Sequence, residues 1–253
     1  MRVFKAGVAN ELSKLLARKK YIVFLCIGVA VCFLWAAVGK LASGALTGLS
    51  QGMTLNLAPN AMGVLPFFLR VLVPFLMFMG ATDLFTVEAS DSTMKASLIR
   101  PIERWKLYTA KLCAVMLYAA GYLVCIFAFS SAIQAIFGQA EPALQLLLSF
   151  ASYLLVLVPL AVLCCFAALV AMLGRSGTLV MFLLIISYLL LCVLPLAILV
   201  LNELLFTSYL GWHSLFIGAP PAFPALANKL LIVLGYGVVF FTAGSLVFDK
   251  KDY

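Results

Sequence analysis

The chain reads as long apolar runs set apart by short polar punctuation. A helix needs about 20 apolar residues to cross roughly 30 Å of hydrocarbon. Runs of that kind cover 21–39, 63–86, 112–138, 142–174, 176–202 and 230–248, the second carrying Arg70 near one end and Asp83 near the other. Barrel strands would alternate apolar and polar residues over about 10-residue segments. The run 154–173, LLVLVPLAVLCCFAALVAML, is instead apolar on every face, as suits a helix between lipid and other helices. The pattern predicts an all-α membrane protein with six transmembrane helices, a single transmembrane domain over 1–253.

The segments before and between the runs add further elements. In residues 1–20, Phe4, Val8, Leu12 and Leu15 recur at helical spacing, while Lys5, Glu11, Lys14 and Arg18 fall on other faces. This predicts an amphipathic helix lying in the membrane interface. In the loop 87–112, Ser92 or Thr93 caps a short helix running through Leu98, and Pro101 ends it by disfavouring helical geometry at Arg100. Pro101 also suits the first turn of the helix that rises into the third span past Trp105 and Tyr108. The connection 174–177, Gly-Arg-Ser-Gly, has no room for a domain. Segment 202–228 is apolar and aromatic yet broken by Gly211, Gly218, Pro220, Pro221 and Pro224, which predicts short re-entrant helices packed on neighbouring protein. The loop 40–62 is small and polar, and Pro74, Pro159 and Pro195 predict kinks inside spans two, four and five.

Charge then sets the orientation. With the N-terminus inside, fourteen of the seventeen Lys and Arg face the cytoplasm, and only Lys40, Arg70 and Lys229 face outward. The positive-inside rule places both termini in the cytoplasm, and the expected location is the inner membrane of a bacterium. About twenty residues precede the first span, so it reads as a retained helix and not a cleaved signal. Composition removes whole classes of function. With 66% apolar and 10% charged residues and a mean hydropathy of +1.18, the chain is neither a water-soluble globule nor a nucleic-acid binder.

Little chemistry is available. No phosphate-cradling G-x-x-x-x-G-K-[ST] occurs, nor any zinc or serine-hydrolase motif. The seven cysteines sit in or beside spans and read as packing residues. The one histidine, His213, reads as an interfacial polar residue in the outer segment. Asp83 and Glu88 lie at the inner end of span two near basic residues and read as ion-pair partners. Arg70 can snorkel outward or line a polar path.

The loop after span two resembles the permease subunit of type-2 ATP-binding-cassette (ABC) exporters. Its Glu88, Thr93, Pro101, Arg104 and Lys111 stand where that family places an acid, a threonine, a proline, an arginine and a lysine; Ser92 replaces a frequent glycine. The ending Phe248, Lys250, Lys251, Asp252 is similar as well. The resemblance implies an elbow helix over 1–20, a coupling loop over 87–107 with its coupling helix, and re-entrant helices over 202–228. It implies a second permease, identical or different, and two copies of an ABC ATPase subunit carrying ATP and Mg, with no cofactor and no catalysis on this chain. Contact with the ATPase would fall to Glu88, Asp91, Ser92, Thr93, Lys95, Leu98, Arg100, Pro101 and Arg104. The substrate path would run between spans two and five of the two protomers, past Phe67, Arg70, Phe75, Met77, Phe78 and Tyr188. The implied cargo is amphipathic or lipid-like: an antimicrobial peptide, a drug or a lipid. The alternatives are an ion- or proton-coupled secondary transporter, which would want acids near the midplane, and a non-transporting membrane partner of an ABC ATPase.

Overall fold

A run with no polar face must satisfy its backbone within itself. The computed structural model accordingly shows helices and no strand among the residues it describes, which are 2–46, 61–91, 103–137, 142–198, 201–216 and 223–251. Six helices are long and apolar enough to span a membrane. The expected short helix in 92–102 and the prolines at 220 and 221 lie outside the described residues.

The first helix covers Arg2–Ala17, and the chain bends at Arg18 into the first span, Lys19–Leu46. That span runs beyond residue 39, because Lys40 and the small residues after it do not stop a helix. The second span, Met62–Ser90, contains two π-turns, Phe68–Leu72 and Thr82–Val87. The third, Arg104–Phe137, begins two turns earlier than the apolar run, so Lys111 lies inside a helix. The fourth is interrupted at Val156 between Ala143–Leu155 and Leu157–Leu173. The fifth is Gly177–Ala197. The sixth, Phe223–Lys250, takes Pro224 into its first turn, where a missing N–H costs nothing. Spans two and four are the centre, with 50% and 56% of their apolar windows buried, against 22%, 17% and 11% for spans one, five and six. Those three therefore offer apolar surface to lipid or to another protein.

Pro74 and Pro195 each withdraw a backbone donor inside a span. Pro74 has no N–H to give the Arg70 carbonyl four residues earlier, and Pro195 has none for Leu191. Both carbonyls find hydroxyls from other elements. Tyr188 of span five donates to Arg70 O at 3.0 Å, and Thr207 donates to Leu191 O at 3.1 Å. Each proline thus creates an acceptor that ties two elements together. Thr207 belongs to the 3-10 helix Phe206–Phe216, whose Phe206 packs among Phe166, Tyr236 and Phe240 of spans four and six. That helix packs onto the bundle with Phe206, Tyr209, Leu210 and Trp212 buried.

Replacing Tyr188 by Phe keeps the ring against Phe78, 5.6 Å between centroids, but strands the Arg70 carbonyl. Tyr188→Phe and Thr207→Val are each expected to lower stability by about 0.6 kcal/mol, up to about 1.7, the range for hydrogen bonds between membrane helices. Unfolding in detergent measures this; two variants with unchanged transitions would mean that the carbonyls are satisfied some other way.

Candidate functional site

The apolar bundle concentrates its charge at one end, where the first helix, the foot of span two and the foot of span three converge. The first helix crosses the third span where Gly7 faces Ala110, a close approach in which a Cβ on residue 7 would sit 3.8 Å from Ala110 Cβ. One turn on, Glu11 faces Lys111. Lys111 is fully buried, and its ammonium donates to Glu11 at 3.0 Å and to Glu88 at 2.5 Å. Lys14 donates to the other oxygens of the same two acids, Glu11 at 2.7 Å and Glu88 at 3.0 Å. The result is a closed ring of two carboxylates and two ammoniums, each carboxylate oxygen taking one donor. Glu11 and Glu88 are buried, while Lys14 is about one-third exposed.

Burial alone would favour neutral forms of these groups. Desolvation of Glu11 raises its pKa, but Lys111 and Lys14 outweigh it and hold the carboxyl below its ordinary value. Desolvation of Lys14 lowers its pKa, and its bonds to Glu11 and Glu88 outweigh that and raise it above the ordinary value. Both shifts favour the charged forms, so Glu11 and Lys14 are both charged at neutral pH.

A second cluster lies beside the ring. Asp83, nearly fully buried in span two, accepts from Arg18 at 2.8 Å, Lys20 at 2.6 Å and the Tyr21 hydroxyl at 2.7 Å. It pins the bend between the first helix and the first span. A third set closes helix ends. Arg104 donates to the carbonyl of Asp249 at 2.7 Å, Lys251 to that of Met172 at 2.5 Å, and Thr86 to that of Ala171 at 2.7 Å. The last carbonyls of a helix have no partner within it, and basic donors there also complement the helix dipole. At the tight turn 174–177, a Cβ on Gly177 would lie 3.1 Å from Val87, so glycine lets this turn press on span two.

No group of three or more His, Cys, Asp or Glu side chains is placed to hold a metal among the described residues. Glu88 and Lys111 stand on either side of the segment 91–103, and the ring locks both to the first helix. The ring thereby joins three helices through charge-assisted bonds.

A family model described as "ABC-2 family transporter protein" matches residues 8–178, well over half of the chain. The chain belongs to the ABC-2 transporter family. No curated protein matches it. The matched region begins within the first helix and ends just inside the fifth span, so it contains the whole ring and the segment it brackets. Membership makes this a membrane permease and implies an ABC ATPase partner that hydrolyses ATP.

Within this ABC-2 permease, the residues expected to meet the ATPase divide. Glu88 is committed to the ring, and Arg104 to the end of span six. Asp91 is exposed in the turn that follows span two. Ser92, Thr93, Lys95, Leu98, Arg100 and Pro101 lie outside the described residues. The residues expected along a substrate path also separate. Phe78 and Tyr188 meet within the chain, and Met77 and Phe78 are buried in it. Phe67, Arg70 and Phe75 are exposed on the N-terminal half of span two, with Val71 between them. They form a stripe, and Met77 is not part of it.

Glu11 escapes the reading of the sequence. Helical spacing puts it on a polar face, and the structure buries it. It is the sole acid on an otherwise basic helix, and that isolation is the available signal: a carboxylate among so many cations at a membrane interface has a specific partner to meet.

Proposed function

We propose that the chain is the permease half of an ATP-driven exporter in a bacterial inner membrane, its termini and charged end facing the cytoplasm. It pairs with a second permease, and each permease receives one ATPase subunit. The segment 91–103 is the contact that the ATPase grips. The observation that carries this reading is the closed ring of Glu11, Lys14, Glu88 and Lys111. A permease must convert a local push into a concerted shift of helices, and an ATPase shifts that equilibrium only through contacts that differ between its states. Three helices tied at the root of one segment provide such a lever. The basic residues at that end support the orientation.

The substrate path runs along the stripe Phe67, Arg70, Val71 and Phe75, facing the partner permease. Three apolar side chains with one cation among them suit an amphipathic or lipid-like cargo such as a peptide, drug or lipid. Spans three to five hold no midplane acid, which leaves a proton-coupled reading without its relay.

The test uses the permease co-purified with its ATPase and reconstituted in vesicles, with ATP hydrolysis read across a panel of peptides, drugs and lipids. Ala96→Pro is expected to leave the chain inserted and the basal hydrolysis present, while substrate stimulation is lost. Full stimulation and transport in Ala96→Pro would overturn the coupling role of 91–103.

A further inference from the structure

Beside the contact of Gly7 with Ala110, a groove of about 630 Å³ runs between the first helix and span three. Phe4, Val8 and Leu12 form one wall, and Met116, Leu117 and Ala120 the other. Leu157, the first residue after the break in span four, lies at its end. Every wall is apolar, so water gains nothing there. The single charged residue lining it is Lys5, which is exposed and has no ion partner among the described residues. The charges around it are already committed: Glu11 and Lys14 to the ring, Arg18 and Lys20 to Asp83.

We propose that this groove holds one acyl chain of an anionic phospholipid, whose phosphate is met by Lys5. The chemistry is that of an interfacial helix with an apolar slot beneath it and an unpaired cation at its rim. The slot takes methylenes, and the ammonium takes a headgroup with net negative charge. The lipid would complete the packing between the first helix and span three. It would thereby support the helix that carries Glu11 and Lys14. This site is separate from the stripe on span two and stands whether or not the transport reading does.

Native mass spectrometry of the full chain in detergent tests it, using palmitoyl-oleoyl phosphatidylglycerol against palmitoyl-oleoyl phosphatidylcholine as probes. The unaltered chain is expected to retain one phosphatidylglycerol in roughly fivefold preference, the factor given by ~1 kcal/mol per basic residue at an anionic surface. Lys5→Glu, an exposed change that leaves the packing alone, should erase the preference, and Lys5→Arg should keep it. Ala120→Trp fills the groove and should abolish the retained lipid of either kind. Equal retention of the two lipids by the unaltered chain would overturn the proposal. So would a Lys5→Glu chain that still prefers phosphatidylglycerol, or a folded Ala120→Trp chain that still carries one lipid.

Discussion

Lys111→Met is expected to destabilise the fold by about 3–5 kcal/mol, the cost of removing one partner from a buried ion pair. Lys111 is wholly buried and reaches both Glu11 and Glu88 from span three. Without it, two buried carboxylates lose their buried ammonium, and Lys14, which remains on both, also faces solvent. The ring itself is weak evidence for net stability, since desolvating four charges consumes most of what their attraction returns. Its sensitivity lies in incompleteness. Hence Glu11→Gln, Glu88→Gln and Lys111→Met combined should recover much of the loss, because no uncompensated buried carboxylate is left and Lys14 can turn to water. Thermal unfolding of the purified chain in detergent reads both steps. A Lys111→Met chain as stable as the parent would show that the ammonium is not the hub drawn here. If the triple variant folds but no longer couples hydrolysis to substrate, the ring serves transmission as well as assembly.

Gly244→Ala is expected to cost about 1–3 kcal/mol, the range for forcing extra volume into a packed core. A Cβ at residue 244 would lie well inside contact distance of the Tyr108 hydroxyl oxygen and 3.0 Å from Cζ of that ring. The ring cannot step aside. Tyr108 is fully buried and held by Phe85, Phe241 and Phe248, with centroids 5.7, 5.5 and 5.7 Å away. Its hydroxyl has no hydrogen-bond partner among the described residues. Tyr108→Phe therefore removes a buried polar group that gains nothing and opens the space that a methyl group at position 244 needs. The double variant should be more stable than Gly244→Ala alone, and unfolding transitions of the four chains form the cycle. Additive losses would deny the contact. Gly28 and Tyr122, which pair the first and third spans in the same way, provide a second cycle.

The six spans were legible because lipid imposes a blunt rule: a segment without water must be helical, apolar and long enough. The ion partners of Asp83 and Glu88 were half legible, since acids at a span end near cations have few other options. The role of Glu11 was not legible, although its residue type was plain. Helical periodicity assigns a residue to a face of its own helix, but not the neighbour that face will meet. Met77 and Phe78 show the same limit. Every residue around them is apolar, so nothing in the pattern separates a core position from an exposed one, and the structure turned both inward while leaving Phe67 and Phe75 outside.

The prolines mark the boundary most clearly. That Pro74 and Pro195 each free a carbonyl follows from covalent structure alone. That Tyr188 and Thr207 supply the missing hydrogens depends on helices 118 and 16 residues apart in the chain being brought together. By itself the sequence determined which segments enter the membrane, which end collects charge and where backbone acceptors go unmet. Only the tertiary structure decided which donors answer them, because that choice is made by packing between helices whose surfaces are chemically almost alike.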